Sequence, residues 1–183
     1  RCHYRILEFK ELLKTYDRIL SIDSDIVMNK NVPNPFDIVP YEKIGTIYED
    51  VGSRERARRN TIQEVQKAYG DIGWKTGYIN TGFFMVSKPH ACIFEKINGK
   101  LWNGTGVDDI QLGYNIVKNK IPVYDFHWKW NTMTMFCEKW NGSPDRFNSY
   151  IIHYAGVGKF ENRFNNRLEN IKHDYNKIWG KNE

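Results

Sequence analysis

Short apolar runs separated by segments of helical spacing recur along this chain, and that alternation is the strongest constraint on its fold. The runs are "RILSI" at 18–22, "KIGTIY" at 43–48, "YINTGFFMVSK" at 78–88, "IPVYDF" at 121–126 and "YIIHY" at 150–154. Rich in Ile, Val, Phe and Tyr and bounded by polar, Gly or Pro residues, they read as strands. Between them, residues 5–16 set Ile6, Phe9, Leu12, Leu13 and Tyr16 on one stripe, which predicts an amphipathic helix lying on a sheet. Residues 89–98, opened by Pro89, and residues 107–120 read as two further helices. Residues 161–179 repeat Phe164, Leu168, Ile171, Tyr175 and Ile178 as a closing helix over the sheet. Pro33, Pro35 and Pro40 make the segment after the first strand an irregular connection. Without internal repeats or low-complexity linkers, the pattern predicts one α/β layered domain over 1–183 with a largely parallel sheet. A chain of 183 residues with 40% hydrophobic content has enough apolar side chains for one core.

The first strand runs directly into two aspartates, "RILSIDSDIVMNK" at 18–30, and leaves them through Ile26 and Val27. Aspartate is a poor strand former and costly to bury, so the pair needs either solvent or a counter-charge. A wet turn and a metal site both satisfy that demand. The central run is broken by Asn80, Thr81 and Gly82, and a glycine there marks a bend or a close approach by another group. Asp108 and Asp109 open the 107–120 helix, where acidic side chains also complement the helix dipole.

A net charge of +5 favours an anionic partner without choosing among nucleic acid, a phosphate-bearing small molecule and a membrane surface. The cationic stretch "SRERARRNTIQEVQKAYG" at 53–70 reads as a solvated helix or loop, with a flap over an anionic ligand as the alternative. It lacks the aromatic interleaving of an RNA or single-strand DNA reader, so no nucleic-acid partner is expected. Cys2, Cys92 and Cys137 are scattered and odd in number, which suits buried or free thiols and leans towards a cytoplasmic setting. The sequons at Asn103 and Asn141 keep a secretory lumen open as the alternative. No apolar run approaches the ~20 residues of a membrane span.

Asp23 with Asp25, Asp108 with Asp109, and His153 each fall at the carboxyl end of a strand or the start of a helix. Ligands of open α/β sheets bind in that crevice. Two carboxylates and an imidazole form a mixed oxygen and nitrogen set suited to Mn²⁺ or Mg²⁺, with positions left for phosphate oxygens. "FHWKWNTMTMF" at 126–136 and Trp140 offer either a stacking platform for a sugar face or simple packing against the sheet.

These residues and their surroundings resemble the retaining glycosyltransferases of family eight, the family of glycogenin and the bacterial lipooligosaccharide galactosyltransferases. "YDRILSIDSDIVMNKNVPNPFDI" is similar to the strand leading to that family's metal-binding DxD. "GWKTGYINTGFFMVSK" is similar to its tryptophan and NSG strand, with Thr81 for serine. "DDIQLGYNI" lies where the family carries DQDxLN, and "HYAGVGK" fits HxxGxxK. The motifs keep their order across residues 5–159. The resemblance implies a type A glycosyltransferase fold, Rossmann-like, and transfer of a hexose from a nucleotide-diphosphate sugar, UDP-linked in the family, to a hydroxyl acceptor with retained configuration. It implies Asp23, Asp25 and His153 as ligands of Mn²⁺, with Mg²⁺ as the alternative. It further implies a donor site drawn from Arg5, Asp23, Ser24, Gly82, Asp108, Gly156, Gly158 and Lys159, with Lys159 neutralising the diphosphate. Asn80 would touch the transferred sugar or the acceptor, and Asp108 sugar hydroxyls.

Two departures qualify this. Asp109 stands where the family usually has glutamine, and a carboxylate there is suited to act as nucleophile, as electrostatic stabiliser of a front-face reaction, or as a helix cap without chemistry. The family also places a strand, a helix and a strand ahead of the Arg5 segment, so the resemblance implies such residues in the parent protein. A non-catalytic sugar-nucleotide or nucleic-acid binding module on the same fold is the alternative reading. Haloacid-type phosphatases also use DxD, but follow it with glycine and threonine where this chain has Ile26 and Val27.

Overall fold

The computed structural model describes residues 2–180. Its centre is β4, Ile79–Ser87, nine residues buried without exception. From Phe83 to Val86 the strand alternates: Phe84 and Val86 face one core with Ile6, Leu13, Leu112 and Ile116, while Phe83 and Met85 face another with Phe126, Trp130, Met135 and Ile151; Ile79, beyond the polar triplet, joins the first core. A strand apolar on both faces belongs in the middle of a layered sheet; the polar triplet Asn80–Thr81–Gly82 leaves it continuous, but its register with β3 shifts between Met85 and Asn80.

β1 (Arg18–Ile22) and β3 (Ile44–Tyr48) flank β4, and β5 (Val123–Asp125) lies outside β3, in the order β1-β4-β3-β5. The α/β sheet with flanking helices is the expected one, but its pairings are mixed: β1 and β3 run antiparallel to β4, and β3 with β5 is the parallel pair. A fully buried strand has the same apolar pattern in either direction, so the sequence did not reveal the reversal. A second, two-stranded sheet joins β2 (Ile26–Met28) antiparallel to β6 (Ile151–His153).

The helices depart from expectation in detail. Residues Cys2–Glu8 form a 3-10 helix, with α1 reduced to Phe9–Leu12, in place of one α-helix over 5–16. The winding changes after Glu8 and the helix ends at Leu12, so no single 3.6-residue stripe runs over 5–16: Ile6 and Leu13 are buried, whereas Leu12 and Tyr16 are exposed. The 53–70 stretch is α2, Glu55–Tyr69, and the 89–98 helix is a 3-10 segment, Lys88–Phe94. α3, Val107–Lys118, packs on β4, and α4, Arg167–Trp179, contacts the small sheet through β2. α4 turns Asn170 and Asp174 inward and leaves Leu168 and Tyr175 exposed, so its apolar spacing marked only part of the buried face. Trp130 lies in the core against Phe83, Phe126 and Tyr150, which is the packing alternative, while Trp140 is exposed. Cys92 and Cys137 are free thiols, and the side chain of Cys2 lies outside the described residues. Among the described residues no helix is long and apolar enough to cross a membrane.

Candidate active site and cation centre

The "DSD" segment is the passage from the large sheet to the small one. Asp23 N donates to Gly82 O at 2.9 Å on the β4 side, and Asp25 O accepts from Tyr154 N at 2.9 Å beyond β6. Backbone bonds therefore fix both aspartates. His153 ends β6 with its ring over Gly82, where any Cβ would collide with the imidazole. That is the close approach the glycine permits. His153 Nε2 lies 3.3 Å from Asp25 Oδ1 and 3.5 Å from Asp23 Oδ2. One atom from each of the three residues falls within 4.8 Å of the others.

A buried chain of side-chain amides stands behind this triad. His153 Nδ1 is 2.7 Å from Asn131 Oδ1, Asn131 Nδ2 donates to Asn80 Oδ1 at 2.8 Å, and Asn80 Nδ2 donates to Glu49 Oε2 at 3.2 Å. Gly82 N also donates to Asn80 Oδ1 at 3.0 Å. Glu49, wholly buried at the end of β3, is paired by Arg54 and by Arg58, the latter at 2.5 Å. With Nδ1 committed to Asn131, His153 presents to the two aspartates either a proton or a lone pair on Nε2. The pocket is thus built for positive charge, and two oxygens and a nitrogen suit a hard or borderline divalent ion. Separations of 3.3 and 3.5 Å lie close to the ~3 Å edge expected for ligands at right angles on bonds of about 2.1 Å.

Asp25 divides its oxygens. While Oδ1 faces His153, Oδ2 accepts from Arg167 Nη1 at 2.6 Å, and the same guanidinium approaches the carbonyls of Tyr154 and Gly156. The His153 imidazole, which donates to Asp25 when doubly protonated, and then Arg167 hold Asp25 below the usual carboxylate range; burial pushes Asp23 up.

Across the cleft, Gly106 and Val107 both take positive φ, +79° and +29°, to swing Asp108 and Asp109 towards β4. For a β-branched residue that is strained backbone, costing on the order of 1–3 kcal/mol. Thr81 receives them: its N and hydroxyl both donate to Asp109 Oδ1 at 2.8 Å, and its hydroxyl lies 3.2 Å from Asp108 Oδ2. Burial, then the charges of Asp108 and Glu49, push Asp109 well above the usual range. Burial also raises Asp108.

A cavity of about 1350 Å³ joins these groups. Of the residues singled out from sequence, Arg5, Asp23, Ser24, Asp25, Asn80, Gly82, Asp108, Asp109, His153 and Gly156 line it. Gly158 and Lys159 are not among its lining residues; Lys159 Nζ donates instead to Phe164 O at 3.0 Å. The net positive charge is not gathered here. Glu8, Glu11, Asp23, Asp25, Glu49, Asp108 and Asp109 line the cavity against Arg5, Arg54, Arg58 and Arg167, so its wall invites a cation. Sequence reasoning missed Glu49, Arg54, Arg58, Asn131 and Arg167. Glu49 carried a usable signal, a carboxylate at the end of a strand as in Asp23; Arg54 and Arg58 lie one helical turn apart. Arg54, Arg58 and Arg59 of the cationic stretch are paired with Glu49, Asp50 or Glu55. Asn103 is exposed, and Asn141 is half-buried with its amide donating to Phe136 O.

The sequence matches no family model and no curated protein. Among solved structures the chain is similar to three glycosyltransferases. Mouse xyloside xylosyltransferase 1, in its apo form, has a TM-score of 0.55 and 16% identity, over 87% of this chain and 65% of that one. The bifunctional glycosyltransferase WbbM, also apo, has a TM-score of 0.58 and 15% identity, over 97% of this chain and 36% of that one. A glycosyltransferase involved in glycosylation of the major capsid of PBCV-1 has a TM-score of 0.54 and 17% identity, over 94% and 76%. The fold is therefore the α/β glycosyltransferase fold. The chain spans less than two thirds of the length of the first two of these proteins.

Proposed function

We propose that this chain is the catalytic region of a metal-dependent retaining glycosyltransferase of family eight, moving a hexose from a UDP-linked donor to a hydroxyl acceptor. The observation that carries the reading is the convergence of Asp23, Asp25 and His153 on one point of a carboxylate-lined cleft within this fold. These three would hold Mn²⁺ or Mg²⁺, which when bound supplies Lewis acidity to a diphosphate leaving group. Arg167 stands beside them as the counter-charge nearest to where a diphosphate would lie, and Gly156 offers close backbone approach.

At the other end, Asp108 and Asp109 face the position of the sugar. Both sit above their ordinary range because they are buried, and at Asp109 the charges of Asp108 and Glu49 add to the effect. Positive charge developing on the sugar ring would pair with them, so their contribution is larger in the transition state than before it. We keep Asp109 as stabiliser of a front-face reaction. The bond from the anomeric carbon to the diphosphate oxygen breaks as the bond to the acceptor oxygen forms on the same face. The acceptor proton passes to the departing phosphate oxygen. Trapping a glycosyl adduct on Asp109 would replace this with a double displacement.

The test is release of nucleoside diphosphate from a panel of nucleotide sugars by the full-length protein, with Mn²⁺ and with chelator. Release that depends on Mn²⁺ and is lost in Asp25→Asn supports the reading. Donor binding without turnover would favour the binding-module alternative, and neither binding nor turnover would end the proposal.

A further inference from the structure

Asn131 is wholly buried and is not itself among the residues lining the cavity, yet it contacts two that are, Asn80 and the triad's His153. The orientation of its amide follows from the two ends of the chain it belongs to. Glu49, already paired with arginines, accepts, so Asn80 must turn its Nδ2 towards it. Gly82 N can only donate, so Asn80 Oδ1 must face Gly82. Asn80 Oδ1 then accepts from Asn131, which leaves Asn131 Oδ1 pointing at His153 Nδ1. An oxygen in that place requires a proton on Nδ1.

We propose that Asn131 is the positioning residue of the cation centre: it keeps the proton of His153 on Nδ1 and aims Nε2 at Asp23 and Asp25 as the ligand atom. The inference rests on reading the triad as a divalent-cation site. Ligating histidines are characteristically oriented through their second ring nitrogen, and loss of such a partner lowers metal affinity about 10- to 100-fold. Here the orienting group is an amide, itself held by Asn80 and Glu49. Turning the imidazole breaks its Nδ1 bond, and Asn131 cannot follow the ring without giving up its own bond to Asn80.

The experiment is Mn²⁺ titration of the full chain, followed by the electron paramagnetic resonance signal of free Mn²⁺, for wild type, Asn131→Leu and Asn131→Asp. A leucine removes the acceptor, whereas an aspartate keeps an oxygen facing Nδ1. Affinity should fall about 10- to 100-fold in the leucine variant and be largely retained in the aspartate variant. Equal affinity in wild type and a folded Asn131→Leu would overturn the positioning role and leave the cation site standing. Failure of wild type itself to bind Mn²⁺ would remove the cation reading and this role with it. Because the leucine variant risks misfolding, the ¹⁵N shifts of His153 in the metal-free wild type give an independent decision. A protonated Nδ1 is required, and a bare Nδ1 would contradict the proposal.

Discussion

Two buried charge networks lie in this molecule, and they are built on opposite principles. Behind the small sheet, Asp174 of α4 takes a bidentate contact from Arg146 at 2.7 and 2.9 Å, a hydrogen bond from Tyr154 Oη at 2.6 Å and another from Asn170 at 3.1 Å, with His173 Nδ1 2.9 Å away. In the cleft, Asp23, Asp25, Glu49, Asp108 and Asp109 share one cavity, and Arg58 Nε is buried with no hydrogen-bond partner. Burial alone would raise Asp174, but Arg146, Tyr154 and His173 outweigh it and hold the group below its ordinary range; in the cleft, burial and like charge win at Asp109. A network that satisfies its own charge is architecture. One that leaves charge unpaired around a cavity is waiting for a ligand.

The largest effect on this contrast should come from Arg146→Met. Removing the cation strands a buried carboxylate, which costs about 3–5 kcal/mol, read in a denaturant midpoint. Activity per folded molecule should be unchanged, because Arg146 does not line the cavity. A stability loss below ~1 kcal/mol would mean that the two networks are not different in kind.

Arg167→Ala should behave in the reverse way. Its side chain is 45% exposed, so its ion pair with Asp25 adds little to stability, within about 1 kcal/mol. Its charge-assisted bond to a donor diphosphate would be worth roughly 1.5–3 kcal/mol, a rise in donor KM of about 10- to 100-fold. An unchanged KM would remove Arg167 from the donor site and return Lys159 to consideration.

The smallest effect is a gain. Asp109 titrates above its unfolded value, so the stability tied to its protonated form is complete below about pH 3.9 and is lost as pH rises through the folded pKa. Asp109→Asn keeps the oxygen that Thr81 addresses and removes the charge. It should raise Tm at pH 7 by about 2–4 °C for each kcal/mol recovered, with the advantage fading towards pH 4. Asp174 has the opposite sign: its contribution is present above about pH 3.9 and is lost as pH falls through its lowered pKa. Melting curves against pH for Asp109→Asn and wild type would separate the two. A variant no more stable than wild type at pH 7 would place the strain elsewhere.

Much of this is legible in the sequence. Five of the six strands, all but β2, stand where apolar runs predicted them, and Asp23, Asp25 and His153 meet as expected, although His153 ends a strand of the small second sheet and not of the α/β sheet. What stayed hidden has physical causes. Strand direction leaves no mark on a strand buried on both faces, so the antiparallel setting of β4 was invisible. A stripe counted at 3.6 residues per turn over 5–16 misplaces Leu12 and Tyr16, because the segment winds as a 3-10 helix up to Glu8 and its α-helix ends at Leu12, before Tyr16. Asn131, in an aromatic segment, carries no local pattern; its partners are 22 and 51 residues away. Arg167 opens α4 and reaches an aspartate 142 residues away, while Lys159 turns to Phe164 O nearby, and local spacing encodes neither contact.

In the proposed function Asp23, Asp25 and His153 together bind one divalent cation. The most direct measurement is an anomalous difference map, recorded at the manganese edge, from crystals grown with Mn²⁺ and UDP. The expected result is a peak within bonding distance of a carboxylate oxygen from each aspartate and of His153 Nε2, with phosphate oxygens completing its shell. A UDP-bound crystal with no peak between these three residues, or with Mn²⁺ held elsewhere in the cleft, would contradict it.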